Sequence, residues 1–169
     1  MWGQQSPQLG LRWAKPPGWE LEWAYDINNK GQIVGYGTFG DPSVYRAFLL
    51  SPVTRTTIRI KPSHVFNNIN FKRGKKIPVA ILSSETFDAP GLVDKDSLTF
   101  GTTGDEASLI GCDRKPKDVN GDGLKDLVCK FSVKLAGFRC GDTEGILKTR
   151  MMDGTHLEGK DSVIIVPCK

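Results

Sequence analysis

The residues whose types and spacing could do chemistry lie in Asp118-Val-Asn120-Gly-Asp122-Gly-Leu124-Lys-Asp126. Oxygen-bearing side chains recur there at alternate positions, so a tightly wound loop turns them inward together. Gly123 permits the sharp reversal after the third of them, the backbone carbonyl of Leu124 comes next, and Asp126 completes the set. Calcium takes about six to eight hard oxygens of this kind. Carboxylates this close in sequence also repel one another unless a cation neutralises them. The expected cofactor is Ca2+, held by Asp118, Asn120, Asp122, the Leu124 carbonyl and Asp126. The plainer alternative is a polar, Asx-rich hairpin turn that uses the same residues without a metal.

A second group is Cys112, Cys129, Cys140 and Cys168. Zinc normally takes thiols in close C-x-x-C pairs, and these four are spread far more widely. Disulfides are therefore expected, and with them an oxidising, extracellular or cell-surface location. Spacing alone does not choose among the possible connectivities. If the strands entering and leaving the Asp-rich loop pair, a Cys112–Cys129 bridge would close its base. Cys140–Cys168 would then tie the C-terminal strand to the turn at 140–143. Leu127, Cys129, Phe131 and Val133 alternate along one strand face, which puts the Cys129 sulfur in the core.

Little else suggests a reaction. His64 and His156 are the only histidines, and neither sits at a metal-ligand spacing. G-x-S-x-G, a phosphate-cradling glycine loop and H-E-x-x-H are all missing. No catalytic residue is assigned, and the chain reads as a non-enzyme. Asp105, Glu106 and Asp161 are left for a second metal or for turn hydrogen bonds. The net charge of +4 is concentrated in residues 72–76 and 114–117. Those runs have no interleaved aromatics beyond Phe71, so they read as solvated loops and no nucleic-acid partner is expected. No apolar run approaches the roughly 18–20 residues of a membrane-spanning helix. Met1–Gln5 has neither the cationic start nor the apolar stretch of a secretory leader.

The elements that must position these residues are strands. With 169 residues, 38% hydrophobic and carrying 19 glycines and 10 prolines, the chain has turns too frequent for long helices. The expected fold is all-β: an antiparallel β-sandwich over residues 55–169, preceded by a small three-stranded β-meander within residues 1–54. In the first part, residues 19–25 alternate apolar and charged, Asn28-Asn-Lys-Gly31 is a turn, and residues 32–36 and 45–50 supply two further strands. A Gly40-Asp-Pro42 loop separates those two. In the second, strands are expected over 57–61, 77–82, 97–100, 107–110, 126–134, 145–152 and 162–166, with a helical turn near 84–87. Pro78 must lie at a strand start or on an edge. Trp13, Trp19, Trp23 and Phe48, together with Phe39, supply more apolar surface than three short strands can hide, so either the following domain packs over them or another chain does, which would make them an assembly surface.

Two family resemblances are carried by these residues. Asp26-Ile-Asn-Asn-Lys-Gly-Gln-Ile-Val-Gly35, followed by Arg46-Ala-Phe-Leu49, resembles a single HAF repeat, a module found in tandem in secreted bacterial proteins. The repeat usually has histidine where Arg46 stands. Ile60-Lys-Pro-Ser, Lys76-Ile-Pro-Val-Ala-Ile-Leu82, Phe100-Gly-Thr-Thr-Gly-Asp-Glu-Ala107, the Asp118–Asp126 loop and Cys140-Gly-Asp-Thr143 follow in order. That series is similar to a C-terminal module of secreted or surface bacterial proteins, which implies an extracellular location, a structural calcium site and no reaction. The loop itself resembles the calcium loops of thrombospondin type-three and dockerin modules. The closing glutamate of an EF-hand is replaced by Cys129, inside a strand. The expected function is an extracellular structural or adhesive surface protein, a self-assembling filament subunit whose partners are other copies of itself. The alternative is a secreted carbohydrate-binding or accessory module, with tryptophans such as Trp23 stacking on cell-surface or extracellular glycans.

Overall fold

The computed structural model describes residues 12–13, 17–64, 66–72 and 74–168. The chain forms two compact units, Met1–Thr54 and Arg55–Lys169, and is all-β apart from one short helix among the described residues.

Strand β1 (Arg12–Trp13) pairs antiparallel with β5 (Pro52–Arg55), whose last residue opens the C-terminal unit. The side chain of Trp13 lies outside the described residues. Strands β2 (Trp19–Ile27), β3 (Ile33–Phe39) and β4 (Asp41–Leu50) form the expected antiparallel meander in the order β2-β3-β4. The Asn28 carboxamide accepts the N–H groups of Lys30 and Gln32, at 2.9 and 3.0 Å, and fixes the first turn. At the second connection Asp41 pairs with Phe39 across Gly40, and the register then shifts so that residues 42–44 have no partner in β3 before Tyr45 pairs with Thr38. Pro42 is tolerated because β4 is an edge of this sheet, where a missing N–H breaks no ladder bond.

Strand β2 also departs from simple alternation. Its register against β3 shifts between Leu21 and Trp23 and again between Ala24 and Asp26. Trp19 stands opposite Phe39 and Trp23 opposite Tyr36. Phe39 and Tyr36 point to opposite faces of β3, so the first shift sends Trp23 to the face away from Trp19.

The C-terminal unit contains β6 (Ile58–Ile60), β7 (Asn68–Asn70), β8 (Lys76–Ile81), the short helix α1 (Ala89–Leu92) and β9 (Val93–Gly101). It continues with β10 (Leu109–Cys112), β11 (Leu127–Ser132), β12 (Glu144–Met151), β13 (His156–Ser162) and β14 (Ile164–Val166). One sheet runs β10-β11-β8-β6, and β13, β12 and β9 lie side by side in another. Ile58, Ile60, Ile77, Val79, Ile81, Leu127, Cys129 and Phe131 of the first sheet share a buried cluster with Phe100, Leu147 and Leu157 of the second. The rings of Phe100 and Phe131 meet across it at 5.0 Å. The expected helical turn at 84–87 is instead a tight β-bridge between Ser84 and Phe87, and helix begins only at Ala89.

Pro78 is neither at a strand start nor on an edge: it is the third residue of β8, which lies between β11 and β6, and its carbonyl accepts the Lys61 N–H at 2.7 Å. Its nitrogen therefore faces the side where β6 has already ended, and no ladder donor is lost. Strands β7 and β14 pair in parallel. Segments so far apart in sequence need no hairpin to bring them together.

The sheets approach closely where glycine replaces a side chain. A Cβ on Gly145 would come within 2.7 Å of Ile60 Cδ1 and 3.0 Å of the Phe100 ring. Gly145→Val should thus overfill the core and destabilise the unit by about 1–3 kcal/mol. Urea unfolding checks this, and an unchanged midpoint would mean that the sheets are not so closely apposed.

Candidate functional site

The Asp118–Asp126 loop joins β10 to β11, and both ends of it are fixed. Cys112 stands directly opposite Cys129 in that strand pair, and the two are joined as a disulfide. Cys140 and Cys168 form the second bridge. Lys117 and Asp126 pair backbone to backbone at the loop's base, with the Asp126 N–H donating to the Lys117 carbonyl at 2.8 Å.

Asp126 is fully buried. Its Oδ1 accepts the N–H of Ser83, just beyond the end of β8, and its Oδ2 accepts the N–H of Val119 within the loop, both at 2.9 Å. The Ser83 hydroxyl donates to the Lys125 carbonyl at 2.6 Å and accepts the Ala89 N–H, at the start of α1, at 3.0 Å. A single carboxylate and a single hydroxyl thereby join the loop, β8 and α1. No lysine or arginine among the described residues forms an ion pair with Asp126.

The outer part of the loop is more exposed and organised by its own backbone. Asp118 accepts the Gly121 N–H on Oδ1 at 2.6 Å and the Gly123 N–H on Oδ2 at 2.9 Å. Those two bonds, Gly123's first, hold its carboxyl below the usual aspartate range. Both glycines sit at positive φ, +84° and +88°, which lets successive N–H groups turn toward one carboxylate. Asn120 donates its side-chain amide to Asp122 Oδ2 at 2.8 Å, and Asp122 Oδ1 accepts the Leu124 N–H at the same distance.

The donor set suits a hard cation: carboxylates, an amide oxygen and a nearby carbonyl. Each oxygen of Asp118 and Asp126 takes one N–H and keeps a second lone pair. In this conformation the acidic groups are turned to the backbone, and no three of the described His, Cys, Asp or Glu side chains converge at metal-holding distance.

The other acidic residues serve turns. Asp105 pairs with Lys148 at 2.9 Å. Asp161 accepts the Ile60 N–H at 2.7 Å and the Asn67 side-chain amide at 3.0 Å, bracing β13 against β6. Glu106 captures a whole turn: Oε1 accepts the Thr102 hydroxyl, the Thr103 N–H and the Thr103 hydroxyl, and Oε2 accepts the Gly104 N–H, all within 3.0 Å. The sequence offered Thr102-Thr-Gly-Asp-Glu106 as a hint of this cluster, but nothing in it said which acid would turn inward.

On the N-terminal sheet, Trp19 packs with Phe39 and Phe48, at ring distances of 5.5 and 6.3 Å. Trp23 is separate from them. It joins Tyr25, Val34, Tyr45 and Leu49 as exposed apolar groups on the opposite face, beside Tyr36. The three tyrosines form a row across the strands, with centroids 5.6 and 5.5 Å apart.

No protein-family model matches the chain, and no curated protein matches it significantly.

Burial alone would raise the Glu106 pKa, but the hydrogen bonds from Thr103 and Thr102 outweigh it and leave the group below its ordinary 4.5. A carboxyl whose pKa is lower folded than unfolded stabilises the fold above the unfolded pKa, and that contribution is lost as pH falls through the folded value. Glu106→Gln should accordingly be less stable than wild type at pH 7, with the gap closing below pH 4.5. Urea titrations at both ends check it. A gap independent of pH would remove the ionised carboxylate from the account.

Proposed function

We propose that this protein is an extracellular structural component of a surface or adhesive assembly, in which the N-terminal sheet docks on another copy of the chain and the C-terminal unit is a rigid shell. The observation that carries the reading is the exposed face of the β2-β3-β4 sheet. Trp23, Tyr45 and Leu49 are 62%, 61% and 59% exposed and lie on one surface with Tyr25 and Val34. Scattered exposed hydrophobics are normal on any protein, but a cluster that spans every strand of a sheet, here with Glu20 and Asp26 at its margins, is a mark of interaction. In the β2-β3-β4 order, β2 and β4 are the outer strands and could extend by backbone pairing with a neighbour. Contacts that repeat head to tail without closing produce filaments.

The tyrosine row favours a protein partner over a glycan. Its rings are tilted by 44° and 78° to one another, so they pack edge on face and present no coplanar shelf for sugar rings. An extracellular location is supported by the two disulfides, which persist in oxidising surroundings. No helix among the described residues is long and apolar enough to cross a membrane.

The loop is read as a structural calcium site. Asp118, Asn120, Asp122 and the Leu124 carbonyl would supply ligands at the exposed end, and the free lone pairs of buried Asp126 would supply negative charge from below. A fully buried carboxylate with two N–H donors and no basic partner is costly, and a divalent cation in the loop would offset that cost.

Two outcomes follow. Chelation should lower the melting temperature by about 5–10 °C, as expected for loss of a ligand well above its dissociation constant. Asp122→Ala should reproduce most of that loss without chelator. Asp126→Asn should destabilise the fold with or without calcium, since an amide NH2 would then face a backbone N–H. Melting that ignores calcium would remove the metal assignment.

For assembly, sedimentation and electron microscopy of the full chain in millimolar calcium should find oligomers or filaments. Trp23→Ser combined with Tyr45→Ser should return them to single particles without lowering stability. Wild-type protein that stays monomeric at high concentration would overturn the docking role.

A further inference from the structure

A cavity of about 310 Å3 in the C-terminal unit is lined by Arg55, Thr56, Thr57, Glu158 and Lys160. Arg55 ends β5, the two threonines lead into β6, and β13 supplies Glu158 and Lys160 from one strand face. Its backbone frame is fixed, because the Thr56 N–H donates to the Glu158 carbonyl at 2.9 Å. Close packing holds it from beneath as well. A Cβ on Gly159 would meet the Thr56 carbonyl at 3.1 Å and Ile58 Cγ2 at 2.5 Å.

Every side chain around this cavity is polar, and the donors are largely uncommitted. The Arg55 guanidinium and the hydroxyls of Thr56 and Thr57 make no hydrogen bond or ion pair with a described residue. Lys160 reaches only Glu158, at 3.6 Å, beyond hydrogen-bond length. Two cations and two hydroxyls thus face one carboxylate. Such a surplus of donors suits an oxyanion, which a guanidinium grips through paired N–H groups. The volume is at the lower end of the roughly 300–1,000 Å3 of small-molecule sites. That leaves room for a single ring beyond the anionic group, and Glu158 can accept hydrogen bonds from hydroxyls on that ring.

We propose that this cavity binds an acidic sugar unit, with Arg55 and Lys160 on its carboxylate, sulfate or phosphate group, the threonine hydroxyls as further donors, and Glu158 on a ring hydroxyl. The site lies in the C-terminal unit and does not depend on the docking face or on calcium.

Titrating the full chain with galacturonate, N-acetylglucosamine 6-sulfate and glucose 6-phosphate, and following the amide resonances of Thr56 and Thr57, tests the assignment and separates the three anionic groups. At least one should shift those resonances saturably, while neutral glucose should not. Arg55→Gln and Lys160→Gln should each weaken binding at least tenfold, and both are expected to fold because the altered ends are exposed. Lys134→Gln, which removes the same charge elsewhere, should leave affinity unchanged. Equal loss in Lys134→Gln would reduce the effect to net charge. Inorganic sulfate binding as tightly as the sugars would overturn the sugar class, and no saturable shift with any of the three would overturn the site.

Discussion

The buried carboxylate of Asp126 is the constraint on which the loop and its surroundings depend. Its oxygens are the partners of the Ser83 and Val119 N–H groups. Ser83 carries the connection onward to Lys125 and to the start of α1. Leaving a buried N–H unpaired costs about 1–3 kcal/mol, so the node is worth several times an ordinary surface contact. The Cys112–Cys129 bridge spans the same pair of strands. Together they fix the base of the loop and leave the tip at 120–123 exposed.

Charge within the loop follows from the same backbone. Gly121 and Gly123 turn their N–H groups onto Asp118 and keep it ionised to lower pH than a free aspartate. The carboxylate charge is therefore stabilised by the loop's own dipoles before any ion arrives. The Asx-type turn thus organises the Asp118 oxygens through backbone N–H groups alone.

Much of the fold was legible in the sequence because it rested on period. The strands around Ile58, Leu98 and Leu127 alternate, Ile77–Leu82 is a nearly continuous apolar run, and the Cys112–Cys129 pairing followed once the strands flanking the loop were paired. The misses have physical causes. Strand β13 buries Leu157 and Gly159 and half-buries Asp161, so its inward face has almost no hydrophobic signal. Gly159 is needed there because Ile58 occupies the space of its side chain. The parallel partnership of β7 and β14 depends on contacts distant in sequence, which local pattern does not encode. In the site, side-chain identity marked the loop, but the inward turn of Asp126 is set by Ser83, far away in the chain.

The aromatic face of the N-terminal sheet comes from bulges as much as from composition. Had β2 alternated without interruption, Trp19, Leu21, Trp23 and Tyr25 would share one face, and Glu20, Glu22 and Ala24 would leave the other largely polar. The register shift after Leu21 divides this set. Trp19 stays with Phe39 and Phe48, while Trp23 and Tyr25 move beside Tyr36, Tyr45 and Leu49. A sheet of three strands can be covered cheaply on one face, and a second apolar face raises both its exposed area and its tendency to associate. A bulge here has a cost in unpaired backbone and lost burial, and it is what places Trp23 and Tyr25 beside Tyr36 instead of with Trp19.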